Sequence, residues 1–422
     1  MIKILRFLSN LRFAIFLLLT IAFCSTLGSI VEQNKSLEFY QSNYPIENSL
    51  FGIINWKFII FLQLDHLYQN IWFFSLLILL GISLMTCTFL QQLPMLRFSR
   101  HCHFIKNIKT KMDFQINAQI IKSTNFFYNL NKQRYFFFQQ KKTFYASKGL
   151  IGRIAPIFVH CSIVLILLGS IFAAVFGFTA QELVPKTEIS HIQNIAASGR
   201  FSTISQEPVR LNDFWITYRK NGQIKQFYSD LSILNEDGNE IKRQTISVNK
   251  PLVYKDLTIY QTDWSLIGLR VWTNDTIFQL PFFKTDNFDG KTNFVTLLPF
   301  NSLEERFNII QLNGYQGNSY LYDLKGKLSK IIDVDEYIKE NKLRFIDIIG
   351  LTGLQIKSDP GLPYIYFGFS FLMLSTILSY LSFSEIWLIK KFSTKQFMIG
   401  AKTTRAKNQL EIELFKFLLD SD

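Results

Sequence analysis

The chain has 422 residues, a formal net charge of +13, a hydrophobic share of 48% and four cysteines. It contains no C-x-x-C or C-x-x-C-H motif, so a disulfide framework, a thioredoxin-type redox centre and a covalently attached c-type haem have no support. It also lacks the H-E-x-x-H, P-loop, G-x-G-x-x-G and G-x-S-x-G motifs. We therefore expect no catalysis by this chain on its own.

The apolar residues are concentrated in four blocks, at 13–31, 72–90, 155–178 and 364–383. None contains Asp, Glu, Lys or Arg, and each is close to the ~20 residues that cross a bilayer as a helix. Lys3 and Arg6 precede the first block as they would in a cleaved signal peptide. That block is longer than a usual signal peptide core and no small-x-small site follows it, so we predict an uncleaved anchor and four membrane-spanning helices.

The positive charge is concentrated in two segments. Residues 91–153 carry basic side chains against the single acid Asp113, and the C-terminal residues add a second basic group. Basic segments remain on the side of synthesis, so we expect both termini to lie inside. The predicted order is an inner N-terminus and first span (1–31), a short outer loop (32–71), the second span (72–90), a basic inner loop (91–154), the third span (155–178), an outer domain (179–363), the fourth span (364–385) and a basic inner tail (386–422).

Neither polar loop carries a recognisable catalytic motif. The outer loop 32–71 is predicted to have little structure of its own, and it ends in Asp65 and His66 at the mouth of the second span. His66 is the weaker of two candidate ligands, since an interfacial histidine needs no functional explanation. The inner loop mixes basic and aromatic residues, which predicts short strands or a segment lying against anionic membrane lipid. We do not expect nucleic acid as a partner, because the charge lies beside a membrane.

The outer domain is predicted to be β-rich. Short alternating stretches are separated by turn signals such as Asn221-Gly222 and Glu236-Asp-Gly-Asn239. This pattern is typical of a sandwich or barrel-like sheet. The predicted fold class is thus an α-helical membrane protein with four transmembrane helices and a large β-rich extracytoplasmic domain.

His160 is the main candidate binding residue, because an ionisable group inside a span is costly and is often functional. Arg153 precedes it by seven positions, on the same helical face and about 10 Å nearer the inner surface. The imidazole could be an axial ligand of haem iron, and the arginine could pair with a propionate. Alternatively, His160 is neutral and hydrogen-bonds a neighbouring helix. Small residues at 155, 162 and 169 mark the opposite face and predict close helix packing there.

Several segments resemble the CcsB/ResB family, a membrane component of the system II cytochrome c synthase. They occur in the family's order along the chain: Leu11-Arg-Phe-Ala-Ile, Thr26-Leu-Gly-Ser-Ile-Val-Glu-Gln33, Leu84-Met-Thr-Cys-Thr-Phe89, Gly149-Leu-Ile-Gly-Arg-Ile-Ala-Pro156, Val248-Asn-Lys-Pro-Leu-Val-Tyr254, Ile259-Tyr-Gln-Thr-Asp263 and Leu351-Thr-Gly-Leu-Gln-Ile-Lys-Ser-Asp-Pro-Gly361.

The resemblance implies a role in the biogenesis of c-type cytochromes. The chain would be an accessory subunit that works with a multi-span CcsA (or ResC) partner to carry haem b, held transiently and shared with that partner, across the membrane. The haem would be presented to apocytochromes c, and His160 would be an axial ligand or part of the haem path. The AT-rich bias in composition suggests a plastid genome. The outer side would then be the thylakoid lumen, the inner side the stroma, and the clients cytochrome f and a soluble cytochrome c. In a bacterium the site would be the inner membrane.

Two other functions remain open from the sequence: a scaffold for a photosynthetic complex, and a transporter. A transporter would need polar residues in several spans or broken helices, and a scaffold would leave His160 without a task.

Overall fold

The computed structural model describes residues 2–46, 54–105, 112–118, 123–220, 223–273, 276–286, 292–301, 306–312, 319–323, 325–332, 337–338, 343–390 and 397–419. The chain forms two compact units. Met1–Phe172 and Gly361–Asp422 together make the first, which we call the membrane unit. Ala173–Pro360 makes the second, the outer domain.

Four helices of the membrane unit are long and apolar enough to cross a bilayer: Leu11–Ile30, Ile71–Arg100, Ile151–Phe176 and Leu362–Ser379. The predicted fold class is confirmed, with four such helices and a large β-rich domain. The shorter helices of the unit are Ile2–Leu8, Leu37–Asn43, Trp56–Phe61, the 3₁₀ helix Leu64–Gln69, Ser123–Lys132 and Lys407–Leu419.

The third and fourth spans pack at small residues. A side chain on Gly169 would meet Ile365 Cγ1 at 3.0 Å, and one on Gly368 would meet Ile166 Cγ1 at 2.6 Å. Ser162 is fully buried in the same seam. The predicted close packing on this face is confirmed, and it follows from the short reach of glycine and serine, which lets two helix backbones approach.

The residues just before the first span and just after the fourth lie beside the same ends of the spans. Near the start of the chain, Leu8 accepts a hydrogen bond from Ser83 Oγ (2.7 Å) and Ser9 accepts one from Gln91 Nε2 (2.7 Å). At the start of the third span, the Arg153 guanidinium lies 5.3 Å from the Phe383 ring centroid, just after the fourth span. We call these the inner ends of the spans.

The loop between the first two spans is folded, and the prediction that it has little structure is wrong. Two short helices and a 3₁₀ helix surround a small apolar core that includes Tyr40, Ile59 and Leu67. The Gln33 amide donates to Gly28 O (2.9 Å) and Leu64 O (2.8 Å) and accepts from Leu67 N (3.1 Å). The side chain of Gln33 thus holds the loop against the end of the first span.

The basic inner loop and the C-terminal segment fold together into one inner domain. Five antiparallel strands lie in the order Phe114–Ala118, Phe397–Thr403, Ser384–Lys390, Thr143–Lys148 and Phe136–Gln140. The helices Ser123–Lys132 and Lys407–Leu419 cover one face through a core that includes Phe126, Leu414 and Phe417. The predicted inner strands are therefore confirmed, and their partners come from the tail.

The outer domain is a pair of sandwich-like lobes that share two long strands. Leu257–Thr273 and Leu343–Ser358 pair antiparallel along nearly their whole length, with register shifts at three points. Their sheet is completed by Leu252–Tyr254, Phe178–Pro185, Ile195–Ser198, Thr276–Pro281 and Tyr337–Ile338.

Each half of the long strands buries its apolar face against a separate sheet. One core joins residues such as Ile259 and Ile356 to a sheet of strands Ile189–Ser190, Val209–Tyr218, Ile224–Leu234 and Glu240–Ser247. The other joins Leu269 and Phe345 to a sheet of strands Phe283–Asp286, Thr292–Asn301, Arg306–Leu312, Ser319–Tyr322 and Leu328–Ile332. Among the described strands no sheet closes into a barrel.

The turn predicted at Glu236–Asn239 is confirmed. Gly238 adopts φ +81°, which glycine tolerates without strain, and Asn235 Oδ1 accepts from Asn239 N at 2.7 Å. The turn predicted at 221–222 lies outside the described residues. The strands on either side of it pair antiparallel, with Val209 opposite Ile233.

Candidate functional site

His160 lies about one-third of the way along the third span, and both of its ring nitrogens contact the second span. Nδ1 is 3.0 Å from Thr88 Oγ1, and Nε2 is 3.2 Å from Gln92 Nε2. The imidazole is therefore held between two polar side chains of the second span, near the inner end of the third span.

The surrounding contacts select one tautomer of the ring. Thr88 Oγ1 donates its own proton to Leu84 O at 2.9 Å, so toward His160 it acts as an acceptor. Nδ1 then carries the proton, and Nε2 accepts from the Gln92 amide. Metal-binding histidines commonly use one ring nitrogen while the other donates to a fixed acceptor. In His160 the unprotonated nitrogen is Nε2, and its lone pair accepts from the Gln92 amide.

The second span changes its winding where it meets His160. Thr88–Gln92 forms a π-helical turn between the α-helical segments Ile71–Cys87 and Leu93–Arg100. The backbone hydrogen bonds of such a turn span five residues, and π-turns inside α-helices are frequent at functional sites. Thr88 and Gln92, at the two ends of this turn, are four positions apart on one face of the helix, and both reach one imidazole.

Arg153 lies two turns nearer the inner end of the third span. Its Nη1 is 3.8 Å from Met95 Sδ, while its Nε is buried and makes no hydrogen bond within the described residues. It lines a cavity of about 280 Å³ together with Gln91, Gln92 and Arg405. Gln92 also contacts His160. One amide side chain therefore touches His160 and lines the same cavity as Arg153.

Two glycines bring the start of the third span against the end of the fourth. A Cβ on Gly152 would lie 1.9 Å from Leu381 O, and one on Gly149, which has φ +81°, would lie 2.1 Å from Ser382 O. Any side chain at either position would force the helices apart. The pair of glycines in the segment 149–152 therefore sets the position of Arg153.

His66 belongs to the opposite end of the membrane unit. Its Nδ1 pairs with Asp65 Oδ2 at 2.9 Å, and its side chain is 41% exposed. It precedes the second span, whereas Thr88 is near the other end of that helix, about 26 Å away at 1.5 Å per residue. His66 and His160 therefore cannot bind one ligand atom.

Within the described ranges, no group of three or more His, Cys, Asp or Glu side chains could hold a metal ion. His103, next to Cys102, donates from Nε2 to Phe98 O (2.7 Å) and stacks on the Phe98 ring. His191 of the outer domain is exposed.

The polar groups around His160 can be compared with those that haem, as a cargo, would require. The site offers one imidazole nitrogen, whose lone pair accepts from Gln92 in this structure, and a guanidinium Nε without an acceptor. These groups match an iron centre with carboxylate arms in type. A cavity of about 280 Å³ is just below the usual range for small-molecule sites, so it has room for no more than the charged edge of such a cargo.

Sequence reasoning missed Thr88, Gln92 and Arg405. Thr88 lies within the segment 84–89 that carries the family resemblance, yet nothing local shows that its hydroxyl faces a histidine 72 residues later. Gln92 follows the apolar block directly, and a polar amide at a span boundary is unremarkable. Arg405 lies in the basic tail among several similar charges.

Comparisons with known proteins agree with the features above. The profile of the ResB-like family matches residues 11–287. The "Cytochrome c biogenesis protein Ccs1" of Heterosigma akashiwo is 50% identical over 420 residues, covering 98% of each chain. Proteins of the same name from Thalassiosira pseudonana (45%, covering 99% of each chain) and Pyropia yezoensis (44%, covering 98% of this chain and 94% of the relative) are also similar.

A solved structure, "Cytochrome c Heme Lyase CcmF", aligns with 73% of this chain and 30% of its own length, at 9% identity and a TM-score of 0.25. That score is too low to support an argument about fold. The sequence relatives are a different matter, because they match the spans, the inner domain and the outer domain together. On a family match of 277 residues and near-full-length identity of 45–50% to these relatives, this chain belongs to the ResB-like family.

Proposed function

We propose that this protein acts in the biogenesis of c-type cytochromes, where with a CcsA-type partner it delivers haem across the membrane and presents it to apocytochromes c. The relatives are named cytochrome c biogenesis proteins. The observation that carries the proposal is His160, an imidazole within a span that contacts Thr88 through Nδ1 and Gln92 through Nε2, so that Nε2 would be the ligating nitrogen once Gln92 moves aside.

Each of the nearby residues has a task in this proposal. The cargo supplies an iron centre and carboxylate side chains. Thr88 keeps the imidazole in one tautomer and orientation, and Gln92 occupies Nε2 until its amide moves aside. Arg153 provides a positive charge two turns away, where a carboxylate needs one. His66, at the outer end, stays a weaker candidate for a later position of the cargo.

The partner would cover the surface of the spans. In the first, third and fourth spans only 11% of the apolar window is buried inside the chain. Lipid and other helices must satisfy the remaining apolar surface, and a multi-span partner would use part of it. The outer domain has no pair of nucleophile and base among its described residues that we can identify, so we propose that it binds and presents instead of catalysing.

We further propose a plastid location, with the large domain in the thylakoid lumen and both termini in the stroma. The relatives come from algae and diatoms, and the composition bias and the basic inner segments support this placement. Cytochrome f and a soluble cytochrome c would then be the clients.

The test is an absorption spectrum of the chain purified with its partner. We expect the wild-type complex to show bound haem, His160→Ala to lose the signal of imidazole ligation, and added imidazole to restore part of it. His191→Ala, an exposed histidine of the outer domain, is the matched control and should leave the spectrum unchanged.

His160→Gln separates ligation from packing. A glutamine can keep a hydrogen bond to the second span but cannot ligate iron well, so we expect holocytochrome production to fail. Near-normal holocytochrome in this variant would refute the ligand role. Absence of haem from the wild-type complex would favour the scaffold or transporter functions instead.

A further inference from the structure

Two arginines from distant parts of the chain line the same cavity at the inner ends of the spans. Arg153 belongs to the third span, and Arg405 follows the last strand of the inner domain. Arg405 Nη1 donates to Ser379 O at 2.9 Å, and its guanidinium lies 5.3 Å from the Tyr380 ring. Arg153 contacts Phe383, three residues further along the same segment.

The inner domain fixes Arg405 in this position. Thr404 N donates to Phe383 O at 3.0 Å, and Phe383 N donates to Thr404 Oγ1 at 3.1 Å. These reciprocal bonds tie the residue before Arg405 to the residue on which Arg153 stacks. Both guanidinium groups therefore contact residues 379–383. The close approach of the backbones at Gly152 leaves this segment little room to move relative to the third span.

The cavity has positive charge without a matching acid. Arg153 and Arg405 form no ion pair with a carboxylate in the part of the chain that the structure describes. Arg153 Nε, a donor on the cavity wall, is buried without an acceptor. Buried polar atoms without partners are costly, so a ligand that supplies an oxyanion to the guanidinium groups would be stabilised here.

We propose that Arg153 and Arg405 form a composite site for the oxyanion head group of an amphiphile at the inner membrane surface. The inference deepens the proposed function, on which it rests, by assigning the C-terminal segment a part in binding. Carboxylates of a porphyrin and the phosphate of an anionic lipid share this chemistry. The apolar part of either molecule would lie along the spans.

The experiment uses the full chain in nanodiscs of zwitterionic lipid and iron-free protoporphyrin IX as the probe. This probe has two carboxylates and no metal, so it tests the arginines without using His160 as a ligand. We expect Arg153→Gln to weaken binding about tenfold or more, as is typical for hydrogen bonds to charged groups, and Arg405→Gln, at a solvent-exposed position, to weaken it about three- to fivefold. Lys402→Gln, an equal charge change at an exposed position near Arg405, should stay within about twofold.

Two further controls distinguish a specific loss of binding from misfolding of the variants. Arg405→Lys keeps the charge and should recover most of the affinity, and the dimethyl ester of the probe should bind weakly and alike to wild type and both glutamine variants. The probe has no metal for His160 to ligate, so a failure of the haem spectrum and a failure of this assay can be told apart.

A second arm replaces part of the lipid with phosphatidylglycerol. If the site takes a lipid phosphate, this lipid will compete with the probe in wild type but not in Arg405→Gln, and less of it will copurify with the variant. That result supports the composite site with lipid as its source. Equal probe affinity in wild type and both glutamine variants, together with equal lipid retention, overturns the proposal.

Discussion

Thr88 and Gln92 hold the same imidazole, yet their removal should change haem binding in opposite directions. Thr88 accepts from Nδ1 and so keeps Nε2 basic, while Gln92 occupies the nitrogen that a metal needs. Thr88→Val preserves the shape of the side chain and removes the acceptor. Gln92→Leu removes the competing amide.

The magnitudes follow from the hydrogen bonds that each change removes. An orienting partner of a metal-binding histidine is typically worth about 10- to 100-fold in affinity, so Thr88→Val should weaken haem binding by that factor. A neutral hydrogen bond contributes about 0.5–1.5 kcal/mol net. Because Gln92 stabilises the ligand-free state by about that amount, Gln92→Leu should leave haem affinity unchanged or raise it by up to about tenfold.

The assay is a haem titration of the full chain, with its partner, followed by the Soret band. Thr88→Ser is the matched control and should behave as wild type, because it keeps the hydroxyl. Equal losses in Thr88→Val and Gln92→Leu would refute the assignment of Nε2 as the ligating nitrogen. If neither variant changes the titration while both lower thermal stability, His160 is a packing residue.

Three other outcomes are expected. His191→Ala should leave holocytochrome levels within about twofold of normal, as judged by haem staining, and a complete loss would require a haem ligand in the outer domain. Protease added to sealed vesicles of known orientation should cut the C-terminal tail and residues 179–363 from opposite sides, and cleavage of both from one side would refute the four-span topology. In the inner domain, Lys407 (2.7 Å) lowers the pKa of Asp113, which also accepts from Thr403 N. A carboxyl with a lowered folded-state pKa contributes stability above the ordinary pKa of about 3.9, and this contribution is lost as the pH falls further. The protection factors of the amides in strand Phe397–Thr403 should therefore fall below about pH 4 in wild type, and the same acid step in Asp113→Asn would contradict this.

The spans and their order could be predicted from the sequence because one local property decides them. About 20 residues without a charge cannot remain in water, and a helix satisfies every backbone group within lipid. His160 stood out for the same reason, since a polar ring in such a block is an exception. The β character of the outer domain likewise followed from alternation and turn residues.

The strands of the outer domain were only partly predictable. Leu257–Tyr260 and Gly268–Trp272 are separate stretches by pattern, yet they belong to one strand, Leu257–Thr273. Register shifts at Gln261/Asp263 and Leu266/Gly268 break the alternation between them. A bulge moves later side chains to the other face, and no single-period pattern can follow a strand through it.

The folded inner domain was not predictable, because its halves are distant in the chain. Strand Thr143–Lys148 pairs with Ser384–Lys390, about 240 residues later. Only when the spans bring residues 149–153 beside residues 379–383 do the two segments meet. The same is true of the candidate site. The sequence alone determined that His160 and Arg153 share a helical face, because helical periodicity is local. Only the tertiary structure decided that Thr88, Gln92 and Arg405 join them, since which helices are neighbours, and how each is rotated, depends on packing among all the spans.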